Sequence, residues 1–142
     1  MLTLAIIKPD AVAASYAGRI LAHLEQAGFA VRAARLVRLT TAQAEAFYAV
    51  HRERPFFRSL VTFMTSGPAL ALVLQRDAAV AALREAIGAT DPAEATAGTI
   101  RKLYAQSKER NAIHASDSEA NAAREVGFFF PEAELAELFR TT

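Results

Sequence analysis

The stretch Asn-Ala-Ile-His-Ala-Ser-Asp at residues 111–117 is the part of this 142-residue sequence around which the rest is arranged. It holds His114, with an aliphatic residue before it and polar residues on both sides. Because the ordinary pKa of histidine is about 6.5, a ring nitrogen is free at neutral pH to attack an electrophile or to accept a proton. A second interpretation stays open, since Ser116 followed three residues later by Glu119 is also the capping box that begins a helix.

Hydrophobic periodicity and turn residues predict alternating strands and helices. The predicted strands are residues 2–7, 29–39, 69–74 and the aromatic run 127–130. The predicted helices are residues 17–27, 41–50, 56–64, 77–86, 117–126 and 131–139. Arginines break the alternation within 29–39, which favours a bulge or an edge strand there. Residues 87–99 are predicted to be irregular.

Strands separated by helices in this order predict an α+β fold: a ferredoxin-like βαββαβ antiparallel four-stranded sheet with helices on one face. Periodicity alone does not distinguish this sheet from a small doubly wound one. A length of 142 residues predicts a single domain over 1–142.

Composition narrows the classes of function. Sixteen basic and 15 acidic residues give a net charge of +1, which argues against a nucleic-acid partner held by a basic field. With no cysteine there is no disulfide framework and no zinc site of the cysteine type. The apolar N-terminal run is too short for a signal peptide or membrane span, so we expect a cytoplasmic protein with no membrane partner. The glycines form neither a Walker nor a Rossmann pattern, so side chains must meet any phosphate charge.

Ordered sequence blocks resemble the nucleoside diphosphate kinases. The motif at 111–117 is joined by Lys8-Pro9-Asp10 at the end of the first apolar run. Between them, in that family's order and spacing, lie Phe47-Tyr48, Arg-Pro-Phe-Phe at 54–57, Ser-Gly-Pro at 66–68, Gly-Ala-Thr-Asp-Pro at 88–92 and Gly-Thr-Ile-Arg at 98–101. The resemblance covers essentially the whole chain, and the family's fold is the ferredoxin-like one.

The resemblance implies a kinase that moves the γ-phosphoryl group of a nucleoside triphosphate, such as ATP or GTP, to a nucleoside diphosphate. In this ping-pong reaction His114 becomes phosphohistidine. The residues implied around the phosphates are Lys8, Tyr48, Arg84, Thr90 and Arg101. Mg²⁺ is expected to arrive bound to the nucleotide phosphates, with no metal site on the protein. The family also implies a homotetramer or homohexamer.

For the remaining roles, the resemblance implies that Phe56 stacks on the base and that Asn111 and Lys8 contact the ribose hydroxyls. Glu125 is implied to hold the second N–H of His114, supported by Ser116. The residues alone allow structural roles instead. Lys8 could be a solvated charge at a strand end, Phe56 a core aromatic and Glu125 a helix-surface carboxylate. Surface positions are equally open for the arginines at 84 and 101.

Two departures from the family pattern concern local structure. Lys102-Leu103-Tyr104 replaces a more usual small, polar and aromatic run, and Ala115 replaces a more frequent glycine, which matters if that position needs a positive φ. Two rival functions remain: a catalytically silent nucleotide-binding or interaction module on the same fold, and a single-stranded nucleic-acid binder. The second lacks a basic aromatic RNA-binding signature.

Overall fold

A computed structural model describes the backbone of residues 1–140 and the side chains of residues 1–138. The strands are β1 (Leu2–Ile7), β2 (Ala30–Val37), β3 (Ala69–Gln75) and β4 (Ile113–Ala115). The α-helices are α1 (Pro9–Ala13), α2 (Ala17–Gln26), α3 (Thr41–Phe47), α4 (Phe57–Met64), α5 (Ala79–Ile87), α6 (Ile100–Tyr104), α7 (Glu119–Phe129) and α8 (Glu132–Arg140). A single 3₁₀ turn, Ala49–His51, follows α3. None of the helices within residues 1–140 is long and apolar enough to cross a membrane.

The strands form one antiparallel sheet in the order β2-β3-β1-β4. This order confirms the predicted ferredoxin-like α+β fold. The predicted irregularity in the second strand is also confirmed, because the pairing of β2 with β3 shifts between Val31 and Ala33 and β2 lies at the edge of the sheet. Strand β4 lies at the opposite edge of the sheet, where His114 pairs with Ile6 of β1.

Helices cover both faces of the sheet, so the expectation of helices on one face is wrong. Leu4, Ile6 and Val73 pack against α3, α4 and α7, whereas Ala5 and Leu72 pack against α2, α5 and α6. The physical reason is that the central strands β1 and β3 are apolar at successive positions, and such strands must be buried on both sides.

The predicted strand at 127–130 is wrong, because these residues end a helix. Ala122, Val126 and Phe129 are buried and have helical spacing, and α7 runs through Phe129. The fourth strand is instead Ile113–Ala115, inside the histidine motif. Short aromatic runs do not separate a buried helix turn from a strand.

The expected helix cap also moves. The N-cap of α7 is Ser118, whose side chain accepts a hydrogen bond from the backbone N–H of Asn121. Helix α7 therefore begins later than predicted, and Ser116 is free to bond elsewhere.

The segment between α5 and α6 is irregular, as predicted, and its first turn requires glycine. Gly88 has φ of 86°, and a Cβ built there would lie 2.5 Å from Oγ1 of Thr99. Short helix α6 follows, capped by the Thr99 side chain. The turn brings the carbonyl of Gly88 and the α6 side chains to the edge of the sheet formed by β4.

Candidate active site

The candidate active site is built on the edge strand β4. The backbone groups of Ala112 and Ser116 bond to β1, through Lys8 N to Ala112 O at 2.8 Å and Ser116 N to Leu4 O at 3.2 Å. In an antiparallel ladder alternate residues bond to the same neighbour. The carbonyls of Ile113 and Ala115 therefore point away from the sheet, while the side chain of His114 lies on the face covered by α3 and α7.

A carboxylate from α7 holds the histidine. Nε2 of His114 lies 2.6 Å from Oε1 of Glu125, and the hydroxyl of Ser116 donates to the same oxygen at 2.8 Å. An ionised carboxylate only accepts hydrogen bonds, so Nε2 carries the proton and Nδ1 carries the lone pair. The chain thus fixes the imidazole tautomer and orientation.

The histidine ring is enclosed by aromatic groups. The ring centroids of Phe47 and Tyr48 lie 5.3 and 6.1 Å from that of His114, each meeting it edge to face. Burial lowers the pKa of His114, although its bond to Glu125 opposes the change. The imidazole is therefore neutral at physiological pH and able to act as a nucleophile.

Tyr48 brings a second polar group to this enclosure. Its buried hydroxyl has no hydrogen-bond partner among the described residues. Burial raises the pKa of Tyr48, and the charge of Glu125 raises it further. The phenol therefore stays protonated and keeps a donor for an incoming acceptor.

Two arginines cap the outward carbonyls of β4 on either side of His114. Arg101 donates to Ile113 O at 2.8 Å and to Gly88 O at 3.1 Å, and Arg84 donates to Ala115 O at 3.3 Å. Burial, followed by the charge of Arg84, lowers the pKa of Arg101 to about 10. Arg101 remains cationic at neutral pH, so two positive charges flank the histidine.

Lys8, at the end of β1, supplies a third positive charge. Its ammonium donates to Oδ1 of Asn111 at 2.8 Å, and the Asn111 amide donates to the carbonyl of Thr90 at 3.4 Å. Burial and Arg101 lower the pKa of Lys8 to about 8, while Asp10 and Glu109 oppose the decrease. The ammonium of Lys8 is therefore buried and hydrogen-bonded, and its pKa lies close to physiological pH.

The structure brings most of the sequence-predicted site residues together at this end of the sheet. They are Lys8, Tyr48, Arg84, Arg101, Asn111, His114, Ser116 and Glu125. Thr90 joins through its backbone carbonyl. The surface interpretations of Lys8, Glu125 and Arg101 are wrong, because all three are buried.

Phe56 lies apart from this cluster. Its side chain is 42% exposed, so it is not a core residue, whereas its neighbour Phe57 is buried. The Phe56 ring contacts His51, at 5.5 Å between centroids, and lies under the guanidinium of Arg54. The ring is available to solvent and to a planar ligand.

Sequence reasoning missed two residues of the site. The carboxylate of Asp10 accepts a hydrogen bond from the backbone N–H of Ala112 at 3.1 Å, and Ala112 has a positive φ of 73°. Asp10 belongs to the Lys-Pro-Asp block that carries the resemblance, so the sequence contained an indication of it. No feature of the sequence indicated the backbone conformation of Ala112.

Both departures in sequence are accommodated. Ala115 lies in β4 and is not among the described residues with positive φ, so a glycine is not required there. Leu103 is 54% exposed on α6, and Tyr104 packs against the ring of Tyr16 at 5.0 Å. The altered tripeptide thus makes contacts outside the histidine cluster.

The site therefore combines a neutral, oriented imidazole with three nearby cations and a phenol. This arrangement suits attack on an electrophile that carries several negative charges, as a phosphate chain does. Across residues 1–140, no group of three or more histidine, aspartate or glutamate side chains could hold a metal ion.

Comparisons with known proteins give the chain its relatives. A sequence model described as nucleoside diphosphate kinase matches residues 2–135. The nucleoside diphosphate kinase of Sorangium cellulosum (strain So ce56) is 57% identical over 134 residues, which cover 94% of this chain and 93% of that protein. The range matched by the family model therefore spans the positions of all the candidate site residues.

Solved structures agree with that match. The Aquifex aeolicus nucleoside diphosphate kinase superposes with a TM-score of 0.92 at 46% identity, covering 94% of this chain and 96% of that one. The Halobacterium salinarum enzyme, solved in complex with CDP, gives a TM-score of 0.91 at 37% identity, covering 94% and 90% of the two chains. The similarity therefore holds for the fold as well as for the sequence.

Proposed function

The chain belongs to the nucleoside diphosphate kinase family and is a nucleotide-dependent phosphotransferase of that class, and we propose that His114 is the residue that carries the phosphoryl group. The single observation that supports this role best is the 2.6 Å bond between Nε2 of His114 and Glu125. That bond leaves the lone pair on Nδ1, which is the atom that attacks.

The two half-reactions balance around this nitrogen. The lone pair of Nδ1 forms a bond to the γ-phosphorus as the bond from phosphorus to the β,γ-bridging oxygen breaks, and the bridging electrons leave with the nucleoside diphosphate. A terminal phosphate oxygen of a second diphosphate then attacks phosphohistidine and releases the imidazole. The Nε2 proton stays on the ring, and Glu125 stabilises the positive charge that develops there.

The cations act on the phosphates. Negative charge spreads over the equatorial oxygens during phosphoryl transfer, and fixed donors in a buried site stabilise it more than water does. We assign Arg84 and Arg101 to the phosphates on either side of His114 and Lys8 to the phosphate chain and ribose. Tyr48 donates its hydroxyl to the transferring group, and Thr90 contacts the distal phosphates.

Asn111 and Phe56 complete the nucleotide site. The amide of Asn111, already bonded to Lys8, reaches the ribose hydroxyls. Phe56 stacks on the base, and because every base offers a π face, stacking does not discriminate among them. The Halobacterium salinarum relative was solved in complex with CDP, which supports nucleotide binding by this chain.

A divalent cation is plausible for a kinase acting on nucleotides, and we propose Mg²⁺ bound by the nucleotide phosphates. The donor chemistry supports this proposal, because the phosphate-facing residues are cationic and Mg²⁺ prefers carboxylate and phosphate oxygens. The metal supplies charge neutralisation when bound. Neither half-reaction uses a metal site on the protein.

For assembly and location, we propose a single domain over 1–142 that forms a homotetramer or homohexamer in the cytoplasm. The outer edge of β2 lies at the end of the described sheet, and Leu36 on this strand is 65% exposed, which supports a contact with a second copy. A chain without cysteine fits a reducing compartment. Light scattering distinguishes four subunits from six.

The alternative of a catalytically silent module is not favoured. A partly exposed nucleophile with an oriented tautomer among three cations is a catalytic arrangement. The net charge of +1 also gives no support to nucleic-acid binding.

The direct test is to isolate the intermediate. The protein is mixed with γ-labelled triphosphate and magnesium without acceptor, and acid-labile label is mapped to a peptide. Label on the peptide that contains His114, and its transfer to added diphosphate, is the expected result. Acid-stable label, or label on a peptide with His23 or His51, contradicts the assignment.

A further inference from the structure

We propose that Asp10 is a positioning residue for the reaction: its carboxylate fixes the backbone of Ala112 and thereby sets the relative positions of His114, Asn111 and Lys8. This inference rests on the proposed role of His114. It adds a residue that contacts no reacting atom and acts through the backbone of the 111–117 motif.

The backbone of Ala112 is held at both ends. Its N–H donates to Oδ2 of Asp10 at 3.1 Å, and its carbonyl accepts from the backbone N–H of Lys8 at 2.8 Å. Ala112 is fully buried and has φ of 73°, a positive value that is unfavourable for alanine. A buried residue keeps such a conformation only when its surroundings enforce it. The two hydrogen bonds to Asp10 and Lys8 hold this conformation from outside the turn, together with the bond from Ile113 N–H to Asn111 O at 2.9 Å within it.

The backbone at Ala112 joins the residues proposed to bind nucleotide to the strand that carries His114. Asn111, on one side of Ala112, accepts from the ammonium of Lys8, and Ile113, on the other side, begins β4 and accepts from Arg101. His114 follows directly. A change in the backbone at 112 therefore changes the distance between the nucleophile and the groups that bind nucleotide.

Asp10 itself is firmly placed. It lies in the first turn of α1, and the backbone N–H groups of Ala11 and Ala112 both stabilise its charged form. It is 8% exposed, and Oδ1 has no hydrogen-bond partner among the described residues. Burial raises the pKa of Asp10, and these two N–H groups and the charge of Lys8 oppose the rise. A buried carboxylate with one oxygen that lacks a hydrogen bond lowers the stability of the fold. Such a cost is expected at a residue that serves the active site.

The carboxylate also acts on Lys8 by its charge. The charged groups that face Lys8 are Arg101 on α6, which lowers its pKa, and Asp10 on α1 and Glu109 in the segment before β4, which raise it. Loss of the Asp10 charge therefore lowers the pKa of Lys8 further. The backbone bond and the charge can be tested separately, because asparagine keeps an acceptor but not the charge.

The experiment compares Asp10→Ala and Asp10→Asn with the wild type, and with Asp77→Asn as a control at an exposed aspartate. The rate of phosphoenzyme formation at saturating triphosphate and the pH profile of kcat/KM are measured for each. We expect Asp10→Ala to slow phosphorylation by a factor of about 10–100 at pH 7, because a buried N–H loses a charged acceptor, and to lose more at alkaline pH, because the charge near Lys8 is also lost. We expect Asp10→Asn to keep most of the rate at pH 7. Its alkaline loss of activity should begin at a lower pH than in the wild type, because the pKa of Lys8 falls.

A second substitution tests the backbone step. Glycine adopts positive φ without strain, so adding Ala112→Gly to Asp10→Ala restores part of the phosphorylation rate if the carboxylate acts by holding this conformation. If Asp10→Ala does not fold, the double variant decides, because recovery of folding and of phosphorylation by Ala112→Gly is the expected result. Wild-type rates in folded Asp10→Ala, or no recovery in the double variant, overturns the inference. A wild-type protein that takes no label on His114 overturns the proposed function instead.

Discussion

The two ends of the candidate nucleotide site differ in how much the protein has already arranged. At the phosphate end, His114, Glu125, Lys8 and Arg101 are largely removed from solvent, and each is held by a hydrogen bond of 2.6–2.8 Å. At the base end, Phe56 is 42% exposed and has only loose ring and cation contacts. The side chains proposed to act on the phosphates are therefore already positioned, whereas the ring proposed to contact the base is not.

Physical chemistry explains this division. A charge developing in a transition state is stabilised most by dipoles and cations fixed beforehand in a site that excludes water. Acceptance of different bases, in contrast, needs a contact that all bases share, and a partly exposed aromatic ring provides one. Substitutions at the phosphate end should therefore affect rate, and those at the base end should affect affinity.

The largest effect is expected for His114→Ala. Loss of the nitrogen that bonds to phosphorus abolishes transfer between nucleotides while nucleotide binding persists. Coupled assays of transfer and titrations with diphosphate measure the two properties, and His23→Ala on α2 is the matched control. Turnover close to that of the control would remove His114 from the mechanism.

Glu125→Gln tests whether orientation of the imidazole matters. A neutral amide cannot stabilise the positive charge on the ring and can favour the other tautomer, so we expect phosphoenzyme formation to slow on the order of a hundredfold. Stopped-flow measurement at saturating triphosphate gives the rate, and a separate titration gives Kd. Glu119→Gln, on the exposed first turn of the same helix, should change neither. A weakened Kd with an unchanged rate would mean that Glu125 serves only binding.

Lys8 tests whether burial sets a pH limit on the phosphate end. Because burial lowers the pKa of Lys8 to about 8, the ammonium is present below that pH and is lost above it. We expect kcat/KM, which reports the free enzyme, to fall about tenfold per pH unit above pH 8. In Lys8→Arg, whose side chain does not titrate there, the limb near pH 8 should vanish whatever the absolute activity. Lys102→Arg, at an exposed lysine, should keep the wild-type limb.

The smallest effect is expected for Phe56→Ala. Since the ring is partly exposed, its stacking lies near the lower end of about 1–3 kcal/mol, and Kd should rise about fivefold for purine and pyrimidine diphosphates alike. Calorimetric titration with four diphosphates tests this, with Leu103→Ala as a control at another exposed apolar residue. A loss confined to one base would show edge recognition and would end the contrast between the two ends.

The sequence predicted the strands β1, β2 and β3, because their apolar patterns follow from burial, and the resemblance supplied the antiparallel ferredoxin-like arrangement. It failed at the fourth strand, where Ile113–Ala115 is only three residues long and owes its conformation to pairing with β1. Such a segment has no periodicity of its own to detect. The aromatic residues near Phe129 were mistaken for that strand, because a short aromatic run fits a buried turn of helix as well as a strand.

Among the candidate site residues, His114 was singled out from its side-chain type and its neighbours, whereas Lys8 and Arg101 were supplied by the resemblance, because the residues alone left surface positions open for them. The role of Asp10 was not predictable, because it depends on the backbone angle of Ala112 and on a contact across 102 positions of sequence. Helix coverage of both sheet faces was also missed, although β1 is apolar at successive positions and could have indicated it.

The pairing of β1 with β4 has a consequence for how the chain folds. Lys8 and Asn111 lie 103 positions apart, and the contact closes a very large loop. Contacts of this separation slow folding, because the entropy of loop closure is lost before the contact contributes. During synthesis β1 emerges early and its β4 side has no partner until the 111–117 motif leaves the ribosome. We expect the newly made chain to acquire its helices first and its nucleophile last, so that activity marks the completion of folding.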